Sequence, residues 1–111
     1  DFKSIFVGDT GYSKDFSTIQ QKFGPMDLSM IPIGAYAPRW FMKDHHCNVE
    51  ESIQIHKDLK SKKSIAMHWG TFQLTDEPMD EPVKLLKKLT IENNFLPDEF
   101  IAMTHGESKI I

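Results

Sequence analysis

Four short runs rich in β-branched or bulky apolar residues, Ser4 to Val7, Leu28 to Ile33, Ser64 to His68 and Phe100 to Met103, alternate with three segments of helical periodicity. Strands that alternate with helices form a largely parallel sheet, because crossover helices are the usual connection between parallel neighbours and are nearly always right-handed. The first helix carries Phe16, Ile19 and Phe23 on one face and is expected to stop at Gly24-Pro25. The second opens at Asn48 with Glu51 three residues on, a variant of the capping box, and turns Val49, Ile53 and Leu59 inward. The third starts near Asp80, tolerates Pro82 in its first turn, and stacks Val83, Leu86 and Leu89. The expected order is βαβαβαβ. The runs Ile5-Phe6-Val7, Met30-Ile31 and Ile65-Ala66-Met67 are apolar on both faces, so both sides of the sheet need cover. Three helices cover one face well or two faces thinly. If all lie on one side, the other face must meet something outside this sequence.

At 111 residues the chain is one domain at most. With 40% hydrophobic residues, 26% charged residues and a net charge of −3, it has neither the bias of a disordered chain nor the basic excess of a phosphate-backbone binder. No nucleic-acid partner is expected. The one dense basic stretch, Lys57 to Lys63, reads as lysines at a helix C-terminus, where they offset the dipole. A single cysteine, Cys47, excludes an internal disulfide and fits a reducing compartment. No apolar run reaches the ~18 residues needed to span a bilayer, and no charged-then-apolar leader is visible. A cytoplasmic or peripheral membrane location is therefore expected. The opening Asp1-Phe2-Lys3, without an initiator Met, reads as a cut or processed end.

Two loops carry the chemistry. Gly8-Asp9-Thr10-Gly11-Tyr12 closes one apolar run and His68-Trp69-Gly70-Thr71-Phe72 closes another, so Asp9 and His68 both emerge at carboxyl ends of strands, on the edge where α/β ligand sites collect. Asp9 is either a turn former bonding amides two residues on or a carboxylate ligand able to bridge two cations. His68 is either a hydrogen-bonded core residue or an imidazole ligand. The long loop from Gly34 to Cys47 contains Tyr36, Arg39, Trp40, His45 and His46, and loops of this length tend to be functional. His45, His46 and Cys47 are consecutive and point alternately in an extended segment, so the three are not expected to bind one ion. His46 is better read as a substrate contact. His56 is expected at or near the surface of its helix. His105 could reach the edge occupied by Asp9 and His68, or serve as a turn contact. Arg39 suits bidentate phosphate recognition, or a clamp that pins the loop.

Together, Gly8-Asp9-Thr10-Gly11-Tyr12, Ile31-Pro32-Ile33-Gly34-Ala35-Tyr36, Pro38-Arg39-Trp40-Phe41-Met42-Lys43, His68-Trp69-Gly70-Thr71-Phe72 and His105-Gly106-Glu107-Ser108 resemble the C-terminal part of the N-acylphosphatidylethanolamine-hydrolysing phospholipase D family, of the metallo-β-lactamase superfold. The resemblance covers nearly the whole chain, in order and at compatible spacing. It implies an αββα sandwich of which this chain forms the C-terminal half, with one mostly parallel sheet, helices mainly on one face, and the N-terminal half absent. It implies two zinc ions, Asp9 as the carboxylate bridging them, His68 as a terminal ligand of one, and His46 as a contact to the phospholipid. The family's His-x-His-x-Asp-His cluster is not in this sequence. Asp44-His45 and Cys47-Asn48-Val49 differ from the family pattern around the substrate-contacting histidine.

The implied activity of the longer protein is zinc-dependent hydrolysis of N-acylphosphatidylethanolamine-like membrane phospholipid to N-acylethanolamine and phosphatidic acid, with the isolated chain silent. Other readings are a hydrolase of the same superfold acting on another phosphoester or a lactone, and a free-standing α/β binding or regulatory domain with helices on both faces. The uncovered sheet face implies either the missing half or a second chain, a homodimer among the options.

Overall fold

The structure is a computed structural model and describes residues 1–70 and 76–110. The elements run β1 (Ser4–Phe6), α1 (Asp15–Phe23), β2 (Leu28–Pro32), α2 (Arg39–Met42), α3 (Val49–Asp58), β3 (Lys63–Met67), α4 (Glu81–Glu92) and β4 (Phe100–Ile101). Local chemistry sets their ends. Gly24 takes φ +84°, and its N–H closes α1 on the Gln20 carbonyl at 2.8 Å. Asn48 and Glu51 exchange side-chain and backbone bonds of 2.8 and 3.0 Å, a complete capping box that starts α3. Asp80 precedes α4, and Pro82 occupies its first turn, where no N–H is needed. One element was not expected: the long loop after β2 contains the four-residue turn α2, which starts directly after Pro38.

All three strand pairings are parallel, and the sheet order is β1-β2-β3-β4. A sheet that advances in one direction through right-handed crossovers places every crossover helix on the same face. The burial pattern agrees. Ser29, Ile31, Ser64, Ala66 and Phe100 point towards the helices and are buried, while Leu28, Met30, Ile65, Met67 and Ile101 point the other way and remain half-exposed. Phe6, on that open face, is 68% exposed. The sheet is thus covered on one side only.

The core lies between the sheet and its helices and includes Ile31, Ile33, Val49, Ile53, Ile55, Leu59 and Leu86. Each such side chain, fully buried, contributes roughly 1.5–3 kcal/mol. The inward positions expected for α3 hold, and Leu86 anchors α4 with Val83 and Leu89 packed beside it. Phe23 departs from expectation. It ends α1 at 54% exposure, with the Lys22 ammonium 5.4 Å from its ring centre, while Phe16 fills the core.

His56 corrects a second expectation. It is buried, not superficial: Nδ1 meets Ser64 Oγ at 2.6 Å and Nε2 meets Glu99 Oε2 at 2.7 Å, joining α3 to β3 and to the approach to β4. The Phe95 and Phe100 rings flank it at 4.9 and 5.4 Å. Burial holds its pKa below the usual histidine value despite the Glu99 carboxylate.

Candidate metal centre

Three loops at the carboxyl edge of the sheet meet through two side-chain-free contacts. A Cβ on Gly11 would lie 2.5 Å from the Lys43 carbonyl oxygen, so the loop after β1 presses directly on the segment leading to His46. A Cβ on Gly34 would lie 2.1 Å from the His68 carbonyl oxygen, so the loop after β2 presses on the turn after β3. Glu77, itself buried, secures that middle loop by accepting from the amides of Ala35 at 2.6 Å and Ala37 at 3.0 Å. Nothing in the sequence around Glu77 marks this role, because its partners are more than thirty residues away in the chain. Tyr36, whose hydroxyl donates to Glu81, ties the same loop to α4.

These contacts bring Asp9, His46 and His68 together. Each offers one ligand atom, and the three atoms lie within 4.8 Å of one another. Gly8, at φ +75°, turns the chain so that Asp9 projects from the edge. His68 itself sits at φ +61°, a conformation costly for a residue with a side chain and found where surrounding structure enforces it. Its Nδ1 lies 3.3 Å from the Gly34 carbonyl oxygen, which can only accept, so Nδ1 carries the proton. Nε2 then faces the Asp9 carboxylate, 3.4 Å from its Oδ1. Two electron-rich groups at that distance need a cation between them, either a proton or a metal ion. A carbonyl-oriented imidazole is the usual arrangement of a metal-binding histidine.

His46 stacks on His68, the ring centres 5.1 Å apart and the planes 7° from parallel. Its Nδ1 is buried and lacks a hydrogen-bond partner among the described residues. Burial, and then the neighbouring His68, hold its pKa below the usual value, so His46 is neutral and can offer a nitrogen. The Asp9 carboxylate and the His68 imidazole are donors suited to a divalent transition metal, and the neutral His46 imidazole lies alongside them. The Asp9 carboxylate makes no bond to the amide of Gly11, the turn arrangement that was the alternative expectation.

The other candidates lie apart. Cys47 turns inward, with Sγ 3.3 Å from both the Pro32 carbonyl oxygen and Ser52 Oγ, and burial raises its pKa. His45 is exposed. The three consecutive residues therefore do not converge. His105 packs its ring 5.9 Å from that of Trp69, next to the cluster and outside it. Arg39 donates to the His46 carbonyl oxygen at 3.0 Å and to Glu51 at 2.7 Å, which makes it a clamp within the loop. Thr71 and Phe72 of the second motif lie outside the described residues.

A family model described as "Beta-lactamase superfamily domain" matches residues 1–69, more than half of the chain and including all three clustered residues. The chain belongs to this superfamily. Among its relatives, N-acyl-phosphatidylethanolamine-hydrolyzing phospholipase D 1 of Caenorhabditis elegans is 46% identical over 105 residues, which span 92% of this chain and 30% of that protein. The mitochondrial N-acyl-phosphatidylethanolamine-hydrolyzing phospholipase D of Saccharomyces cerevisiae is 43% identical over 85 residues, 75% of this chain and 18% of that protein. The chain thus spans less than a third of the length of either. Among solved structures, Igni18, a metallo hydrolase of Ignicoccus hospitalis, superposes with a TM-score of 0.59 at 19% identity, covering 90% of this chain and 36% of its own. The parallel sheet with helices on one face is an α/β fold of the metallo-β-lactamase type.

Proposed function

We propose that this chain carries part of the metal site of a zinc-dependent phosphodiesterase of the phospholipase D type, which hydrolyses N-acylphosphatidylethanolamine-like lipids. The observation that carries this reading is the convergence of Asp9, His46 and His68, with His68 oriented by the Gly34 carbonyl and its Nε2 turned towards the Asp9 carboxylate. Similarity to two phospholipases of that specificity over most of the chain supports the substrate class.

In this reading Asp9 would be the carboxylate shared by two zinc ions and His68 would be a ligand of one of them. His46, neutral and stacked beside His68, meets a phosphoryl oxygen of the substrate. The ions, when bound, supply Lewis-acid polarisation of the phosphodiester and lower the pKa of a water. Water replaces the N-acylethanolamine oxygen at phosphorus, releasing N-acylethanolamine and leaving phosphatidic acid. The remaining ligands come from an N-terminal half of the sandwich, whose sheet covers Phe6, Met30, Ile65 and Met67. A second copy of the chain is the other way to cover that face. A free-standing binding domain is disfavoured, because it would require helices on both sides of the sheet. No helix among the described residues is long and apolar enough to cross a membrane.

The test uses the full-length protein that contains this chain, with vesicles of N-acylphosphatidylethanolamine and mass-spectrometric detection of products. Release of N-acylethanolamine by the full-length protein, together with silence of the 111-residue chain, is expected. Turnover by the isolated chain, or hydrolysis only of other phosphoesters or lactones, would overturn the reading.

A further inference from the structure

We infer that Arg39 is a positioning residue for His46 and not a reader of substrate phosphate, an inference that rests on His46 being the group that meets substrate. The backbone of His46 is held on both sides by α2. Its N–H donates to the Met42 carbonyl at 2.8 Å, and its carbonyl accepts from Arg39 Nη1 at 3.0 Å. Arg39 Nη2 reaches Glu51 Oε1 at 2.7 Å, and that same oxygen accepts the Asn48 N–H at 3.0 Å within the capping box of α3. One planar guanidinium therefore joins the site loop to the start of a core helix. Lysine, a single ammonium on a flexible stem, does not reproduce this two-pronged reach.

The His46 ring has no such anchor of its own. Its Nδ1 is without a partner among the described residues, and its visible constraint is the stack on His68. Ring placement then follows backbone placement, which Arg39 sets. Both ends of the guanidinium are engaged by protein acceptors, which leaves it poorly placed to serve a phosphate as well.

The test uses the zinc-loaded full-length protein with histidine labelled at Cε1, the His46 signal being assigned from its loss in H46Q. In R39A the His46 signal is expected to move as the stack on His68 loosens, while the signal of His56, buried between Ser64 and Glu99, stays in place and reports an intact fold. With bis(p-nitrophenyl) phosphate as substrate, R39A should lower kcat about 10–100-fold with little change in KM. In an H46Q background the same substitution should change kcat less than about 3-fold, because the two residues act as one unit. An unmoved His46 signal in R39A, or losses that multiply in the double variant, would overturn the inference. Should R39A fail to fold, R39K decides the matter. A shifted His46 signal with His56 unchanged supports the positioning role, and an unmoved one contradicts it. Absence of turnover in every variant would count against the phosphodiesterase reading, while the histidine signals still settle the role of Arg39.

Discussion

The carbonyl oxygen of His68 lies 2.1 Å from where a side-chain carbon on Gly34 would sit, so the turn that presents His68 and the loop that orients its ring are in direct backbone contact. The same Gly34 supplies the carbonyl that fixes the protonated nitrogen of His68. Neither partner is a flexible side chain, so nothing local can yield.

Gly34→Ala should therefore separate the two loops. We expect a loss of about 2–4 kcal/mol in stability and at least a tenfold weakening of zinc binding. Thermal melts and zinc competition titrations on the full-length protein check this. Wild-type zinc affinity in that variant would contradict the geometry.

Gly11 and Gly8 offer a contrast within one motif. Alanine at Gly11 meets the Lys43 and Asp44 backbone at 2.5–2.8 Å, whereas alanine at Gly8 meets nothing within 4 Å and pays only for its φ of +75°. Gly8→Ala should cost about 1–2 kcal/mol. Gly11→Ala should cost more and should also displace His46, read as a larger drop in turnover than in melting temperature.

His56 links folding stability to acidity. Its pKa is lowered in the folded state by burial, so the unfolded chain, near the ordinary value of 6.5, takes up its proton first as pH falls. Stability from the neutral buried form is fully present above that value. It declines as pH drops from there towards the lower folded pKa. Below the folded pKa both states are protonated and the decline from this group ends. His56→Ala should cost about 2–3 kcal/mol near neutrality, since it strands Ser64 Oγ, and should flatten this part of the pH–stability curve measured by urea unfolding.

On the open face Phe6, Met30, Ile65 and Ile101 lie in one row across four strands. The isolated chain should bind a hydrophobic dye or self-associate through this row. Phe6→Glu should reduce both, read by dye fluorescence and light scattering. Because Phe6 is largely exposed, its stability should change by no more than about 0.5 kcal/mol.

Local pattern carried much of this architecture. Alternating strand and helix periods, the Asn48–Glu51 box and the Gly24 stop are encoded within a few residues of where they act. The loops holding Asp9 and His68 were legible for the same reason, since each follows directly on an apolar run. What escaped was long-range. His56 sits among polar neighbours in sequence, and only the arrival of Ser64 and Glu99 makes it a core residue. That His45, His46 and Cys47 would not share one ion was readable, although the segment is a turn closing on the Met42 carbonyl and not the extended stretch expected. That His46 would turn towards His68 depended on α2, on Arg39 and on Gly11, none of which announces its partner locally. Helix placement on one face followed from strand order, which periodicity does not contain.

The most direct measurement is the zinc content of the full-length protein and of its Asp9→Asn and His68→Ala variants, with His46→Gln alongside. If Asp9 bridges two ions and His68 binds one, the parent should hold two zinc ions per chain. Asp9→Asn and His68→Ala should each lower occupancy and weaken affinity by at least tenfold, while His46→Gln keeps its zinc and retains a reduced, measurable turnover. Full zinc retention in both the Asp9 and His68 variants would contradict the proposed site.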